Sequence, residues 1–174
     1  MGNKHSTSLK SLMLNDNGDI VEISATYQGK PLFRKTRPDK NEQKVARIIQ
    51  SDPHPNIVNI YHVCDEYIDM ELVDTSPKTF NLQDLERAHD YFVQKGVVYM
   101  DWKPDNYGLD HHGITKVFDF NSAGIFDKKT GEWIDPAPEY YAWHKATAEG
   151  MTTPSSIDLF TFEKCEEIWD STRP

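Results

Sequence analysis

Asp101, Lys103, Asn106 and Asp119 are the residues of this chain whose types and spacing can do chemistry. The stretch around them reads Val-Val-Tyr-Met-Asp-Trp-Lys-Pro-Asp-Asn from Val97, then a Tyr-Gly-Leu-Asp-His-His-Gly-Ile connector, then Thr-Lys-Val-Phe-Asp-Phe-Asn to Asn121. Lys103 follows Asp101 by two positions and Asn106 follows it by five, while Asp119 comes 13 residues after Asn106 behind the apolar pair Val117-Phe118. Two carboxylates, an amide and a cation on strand ends suit a reaction that needs positioned charge more than covalent chemistry. Phosphoryl transfer is such a reaction. The structural alternative is a β-hairpin of Val97 to Tyr99 with Thr115 to Phe118, in which Asp101, Asp105 and Asp110 are only solvated loop residues.

This spacing resembles the eukaryotic-type protein kinase family, and Lys103 at its place is a serine/threonine-type mark. Three further segments carry the likeness. His54-Pro55-Asn56-Ile57-Val58 is nearly verbatim the family's link from helix αC to the fourth strand. Ala137-Pro138-Glu139, 18 residues after Asp119, resembles the motif that closes the activation segment, and Ser156-Ile157-Asp158-Leu159-Phe160 resembles the start of helix αF. The resemblance implies that Asp101 takes the substrate hydroxyl proton, that Lys103 steadies the transferring phosphoryl group, and that Asn106 and Asp119 hold magnesium on the ATP phosphates. It places Lys35, with Lys30 as the alternative, on the upper phosphates. Glu42 is the ion-pair partner of that lysine, or else serves with Asp39 as a capping-box variant. Met70 becomes the gatekeeper, and Glu71 to Val73 the hinge against adenine. Asp158 and Glu139 are structural supports, Asp158 for the catalytic-loop backbone.

The implied activity is ATP- and magnesium-dependent phosphorylation of serine or threonine on a protein substrate. Because Tyr99-Met100-Asp101 replaces His-Arg-Asp, no arginine is present to receive an activation-loop phosphate, so control by that phosphate is not expected. Asp119-Phe120-Asn121 replaces Asp-Phe-Gly, with Asn121 expected to take the left-handed backbone. The alternative from another class is a pseudokinase, a module that binds and modulates a partner protein. The likeness covers roughly residues 12–170 and implies a trimmed version such as viral or bacterial effector kinases, cytoplasmic and host-directed. Its exposed αF edge offers a surface for a partner or a second copy.

The elements that must position these residues are legible in outline. Residues 12–36 alternate in strand fashion, with turns at Asn17-Gly18-Asp19 and Gln28-Gly29-Lys30, and predict three antiparallel strands. Only Gly18 stands where the family has a glycine-rich loop, which predicts weaker nucleotide affinity. A short helix αC follows over 39–50, with Val45, Ile48 and Ile49 on one face, then strands 57–63 and 67–73. A helix over 82–95 is stopped by Gly96, residues 122–131 form a loop, and a helix from 156 has Leu159, Phe162, Cys165 and Trp169 as its apolar stripe. The expected fold is α+β and two-lobed: a five-stranded antiparallel N-lobe sheet with a short αC over about 12–73, and a reduced helical C-lobe ending near αF over about 74–174.

A net charge of −9 argues against nucleic acid as the partner. Two cysteines far apart, Cys64 and Cys165, suggest neither a disulfide scaffold nor a zinc site. Met1-Gly2-Asn3-Lys4-His5-Ser6 matches the myristoylation pattern, so residues 1–11 read either as an acylated leader placing the protein at the cytoplasmic face of a membrane or as a plain disordered one.

Overall fold

The computed structural model describes residues 10–77, 79–139 and 141–165; Gly2 and Trp169 lie outside them. The alternating N-terminal segment forms four strands, β1 (Ser11–Leu14), β2 (Ile20–Ile23), β3 (Thr26–Tyr27) and β4 (Lys30–Thr36). Together with β5 (Ile60–Val63) and β6 (Tyr67–Glu71) they make a six-stranded sheet in the order β2-β1-β4-β6-β5, with β3 paired to β4. The expected five-stranded antiparallel sheet is corrected in one respect that matters. Strand β1 lies between β2 and β4 and runs parallel to β4, with Leu12 opposite Phe33 and Leu14 opposite Lys35. The physical reason is the buried Ser11 hydroxyl, which donates to the Ala25 carbonyl at 2.5 Å and accepts from the Leu32 amide at 2.9 Å. That hydroxyl ties the end of the β1–β2 hairpin to β4, so β2 is carried to the sheet edge and β3 becomes a separate short hairpin arm.

Helix α1 (Lys40–Ser51) starts at Asp39, whose side chain accepts from the Glu42 amide at 2.8 Å. Its buried stripe of Val45, Ala46 and Ile49 packs with Ile57, Val58, Ile60, Ile68 and Met70. Helix α2 (Leu82–Lys95) has the expected bounds and buries Leu85, Ala88, Tyr91 and Phe92. Gly96 ends it at φ 70°, donating to the Phe92 and Val93 carbonyls.

The chemistry-bearing stretch is not the hairpin that was the structural alternative. Strand β7 (Val97–Val98) pairs with β10 (Gly124–Phe126), and β8 (Tyr107–Leu109) pairs with β9 (Thr115–Val117). Residues 122–131, expected as loop, therefore contain β10, which also pairs with β11 (Trp133–Asp135). These strands are two or three residues long, too short for alternation to declare them. Helix α3 (Tyr141–Ala148) was not foreseen, because its buried positions, Ala142 and Ala146, are too small to make an apolar stripe. Helix α4 (Pro154–Glu163) starts at a Thr153–Ser156 capping box. It buries Ile157, Asp158 and Thr161, whereas Leu159, placed in the stripe by sequence, is 48% exposed.

The termination of α2 sets where β7 and the residues after it begin. A Cβ on Gly96 would stand 2.6 Å from the Phe126 carbonyl oxygen, and the Phe126 amide donates to the Gly96 carbonyl at 2.8 Å. Gly96→Ala must therefore accept a left-handed backbone and push β10 away. It is expected to lower the unfolding free energy by about 2 kcal/mol or more in urea titration; a loss below about 0.5 kcal/mol would contradict this packing.

Candidate active site

Two non-glycine residues with left-handed backbone present the acids. Met100, at φ 61°, precedes Asp101, and Asp119 itself has φ 62°. Each such residue costs about 1–3 kcal/mol unless its surroundings determine it. Asn121, expected to take the left-handed turn, does not; the reversal falls at Asp119 instead. The flanking residues explain this, since Phe120 is fully buried in the core and the Phe118 carbonyl is held by the Tyr99 hydroxyl. With both neighbours anchored, the intervening residue must absorb the turn.

Around Asp101 the contacts close on themselves. Asn106 Nδ2 donates to Asp101 Oδ2 at 2.8 Å and to the Asp101 carbonyl at 3.0 Å, while Lys103 Nζ lies 2.9 Å from Asp101 Oδ2. The Phe118 amide donates to the Asn106 carbonyl at 3.0 Å. Residues 101–106 and 118–119 are thus held as one unit, with Tyr99 as the third tie. Tyr99 stacks on Phe92 with ring centroids 5.3 Å apart and meets Trp102 edge-on at 4.8 Å. Burial in this aromatic block, with Asp101 and Asp119 nearby, pushes the Tyr99 phenol well above its ordinary value, so it stays a donor.

Asp119 also meets the sheet. Lys35 Nζ lies 2.6 Å from Glu42 Oε1 and 2.7 Å from Asp119 Oδ1. Burial pulls this ammonium down, but the two carboxylates outweigh it and hold Lys35 above the ordinary lysine value. Lys30 is exposed at the β3–β4 turn. Of the two roles considered for Glu42, the ion pair is the one formed: its carboxylate, on a residue 1% exposed, reaches Lys35, while Asp39 alone caps the helix by accepting from the Glu42 amide.

Asp158 is buried on α4, and its Oδ1 accepts from the Tyr99 amide at 3.2 Å. Its Oδ2 is 2.9 Å from Nε2 of His89, whose ring stacks on Phe162. Burial raises the Asp158 carboxyl above its usual value despite His89 and the Tyr99 amide. Ala137 is buried, whereas Glu139 is exposed.

A cavity of about 420 Å³ opens beside this cluster. Leu12, Ile20, Phe33, Met70, Val73 and Phe118 give it apolar walls, and Glu71, Thr75 and Asp105 add polar groups. Gly108 lets Val73 approach, because a Cβ there would stand 2.4 Å from Val73 Cγ2. The Glu71 carboxylate accepts from Asn59 Nδ2 at 2.8 Å and lies 2.9 Å from the buried Lys116 ammonium, which fixes the strand end at the cavity. The β1–β2 turn is not a phosphate cradle. Asn15 Oδ1 accepts from the Asn17 and Asp19 amides at 2.9 Å each, and Asp16 pairs with Arg37 at 2.6 Å.

The donor set fits a magnesium ion shared with phosphate oxygens. Such an ion takes only one or two protein oxygens and keeps waters or phosphate for the rest. Asp119 supplies a carboxylate that is one-third exposed, and the Asn106 amide, with its nitrogen turned to Asp101, keeps its oxygen as the end able to ligate. No group of three or more His, Cys, Asp or Glu that could by itself hold a metal occurs among the described residues. Sequence reasoning missed the parts played by Tyr99, His89 and Lys116. Only the placement of Tyr99 two residues before Asp101 hinted at the first, and nothing local signals the other two.

No protein-family model matches the chain. It is 32% identical over 133 residues to a CBL-interacting serine/threonine-protein kinase of Arabidopsis thaliana, covering 64% of this chain and 30% of that protein. Two CBL-interacting protein kinases of Oryza sativa subsp. japonica match at 31% over 131 residues and 30% over 134, covering 63% and 65% of this chain and 29% and 25% of theirs. The chain thus spans less than a third of the length of the curated relatives it matches. The similarity relates it to protein kinases, and the mixed α and β architecture is compatible with that fold.

The Tyr99 hydroxyl is the tie most easily removed. Tyr99→Phe leaves the Phe118 carbonyl without that donor, and is expected to cost about 1–3 kcal/mol of stability in urea unfolding. Unchanged stability would mean that this bond does not hold residues 118–119 in place.

Proposed function

We propose that this chain is a minimal, two-lobed protein kinase that transfers the γ-phosphate of ATP to a serine or threonine hydroxyl of a protein substrate. The sheet with α1, about residues 12–73, forms the upper lobe, and residues from about 74 onward form the lower. The observation that carries the reading is Lys35 held between Glu42 and Asp119, with Asp119 linked through the Phe118 amide to the Asp101–Asn106 pair. A cation fixed in this way between an upper helix and a lower carboxylate can neutralise phosphate charge without reorganising.

In this reading the apolar cavity takes the adenine, and Met70, Glu71, Leu72 and Val73, which line it, form the gatekeeper and hinge. Lys35 binds the upper phosphates. Asp119 and the Asn106 oxygen hold magnesium, which when bound would offset negative charge on the phosphates. Asp101 accepts the proton of the acceptor hydroxyl as that oxygen bonds to the γ-phosphorus, and the bond from phosphorus to the bridging oxygen breaks with its electron pair leaving on ADP. Lys103, 2.9 Å from Asp101, stabilises the group in flight.

One observation favours the alternative, a nucleotide-binding pseudokinase that acts on a partner protein. The Asn17 and Asp19 amides of the β1–β2 turn are spent on Asn15, so that turn does not cover phosphate as a glycine-rich loop would. Phosphate transfer to a protein serine or threonine, followed with labelled ATP, separates the two. The wild-type chain is expected to transfer label, and Asp101→Asn to lower the rate by about 100-fold or more while nucleotide affinity changes only a few-fold. Equal loss of rate, affinity and melting temperature would make Asp101 an anchor, and a wild type that binds nucleotide without transfer would leave the pseudokinase.

A further inference from the structure

Helix α1 is held on two faces. Glu42 reaches Lys35, and on the neighbouring face Asn41 and Lys44, three residues apart and so aligned along the helix, reach the chain beyond Asp119. Lys44 Nζ lies 2.6 Å from Asp135 Oδ1, and Asn41 Nδ2 donates to the Pro136 carbonyl at 2.8 Å. Asp135 ends β11, β11 pairs with β10, β10 pairs with β7, and β7 leads through Tyr99 and Met100 into Asp101. Residues 119–135 are therefore a segment whose two ends are both fastened to the same helix, one through Lys35 to Glu42 and the other through Lys44.

The geometry points to Asn41, Lys44 and Asp135 as positioning residues: a charge latch, built from a carboxylate of the chain itself, that keeps α1 inward and Glu42 on Lys35. The latch deepens the kinase reading and rests on it for what Lys35 is presented to. Lys44 is half exposed and Asp135 about a quarter exposed, so the pair contributes little to stability. Its effect is geometric, since a shift of about 1 Å in a positioning group is enough to cost about 100-fold in rate. Asp135 is a carboxylate of the chain itself, so the latch carries its own charge. Asn41 supports the register of this contact through the Pro136 backbone carbonyl.

The test compares the full chain with Lys44→Glu, Asp135→Lys and the double charge swap. Each single change is expected to lower kcat/KM for phosphate transfer from magnesium-ATP by about 5- to 10-fold, and the swap to restore it to within about 3-fold of wild type. Melting temperatures should stay within about 3 °C of wild type, as for a surface pair, so that lost rate is not lost fold. Backbone amide exchange over residues 40–51 and 124–136 should quicken in both singles and recover in the swap. Singles within about 2-fold of wild type in kcat/KM, or a swap that restores neither rate nor protection, would overturn the latch. A wild type that neither binds magnesium-ATP nor transfers phosphate would sink the kinase reading instead. The exchange data then decide the latch alone, recovery in the swap upholding it and indifference to all three variants removing it.

Discussion

The sharing of one ammonium between two carboxylates is the constraint on which the rest of this structure depends. Lys35 lies on the central part of the sheet, Glu42 on a helix packed across it, and Asp119 on the turn that follows β9. Removing one partner of a buried ion pair leaves charge uncompensated at a cost of about 3–5 kcal/mol, so the three elements must be correct together. Several otherwise separate features serve that end. Strand β4 holds register with β6, Lys35 opposite Ile68. Asp39 caps α1 so that Glu42 falls in its first turn, facing the sheet. Asp119 accepts a left-handed backbone because Phe118 and Phe120 on either side are both anchored.

Below the ion pair, the acids rest on an aromatic block. Phe92, Tyr99, Trp102, Phe120 and Phe162 pack around one another, and His89 and Asp158 are enclosed with them. Where the resemblance leads one to expect a histidine and an arginine before the first aspartate, this chain has Tyr99 and Met100. The hydroxyl of Tyr99 links the two acid-bearing segments, and its backbone amide is tied to Asp158. Met100 joins the second apolar cluster with Val98, Phe126 and Ile157. A positioned set of charges is thus supported by aromatic packing together with the ties of Tyr99 to Phe118 and Asp158, which suits a site that must not reorganise.

How much of this was legible in the sequence depends on the range of the interaction concerned. Helix α2 could be bounded from its stripe and Gly96 alone, and α1 from Asp39 and its apolar face, because caps and 3.6-residue periodicity are local. The segment from Asp101 to Asp119 stood out because its residue types are dense and its register distinctive. The pairing of β1 with β4 was not legible, since it joins strands separated by β2 and β3 and is supported by one serine hydroxyl bridging residues 14 and 21 positions away. Nor were β10 and β11, too short to show a period, or α3, whose buried face is two alanines. Leu159 was misplaced for a related reason: apolar identity does not say which face of a helix finds a partner, and on α4 Asp158 is buried instead. Lys116 and His89 owe their places to long-range pairing that no local pattern records.

Calorimetric titration of ATP into the protein, with and without magnesium, tests the central claim most directly. If Lys35, Asn106 and Asp119 form a nucleotide-phosphate site, ATP binds more tightly with magnesium than without it, and Asp119→Asn removes the difference, because the substitution keeps the shape and deletes the charge facing the metal. Binding that is absent, or indifferent to magnesium in the wild-type chain, would contradict the account.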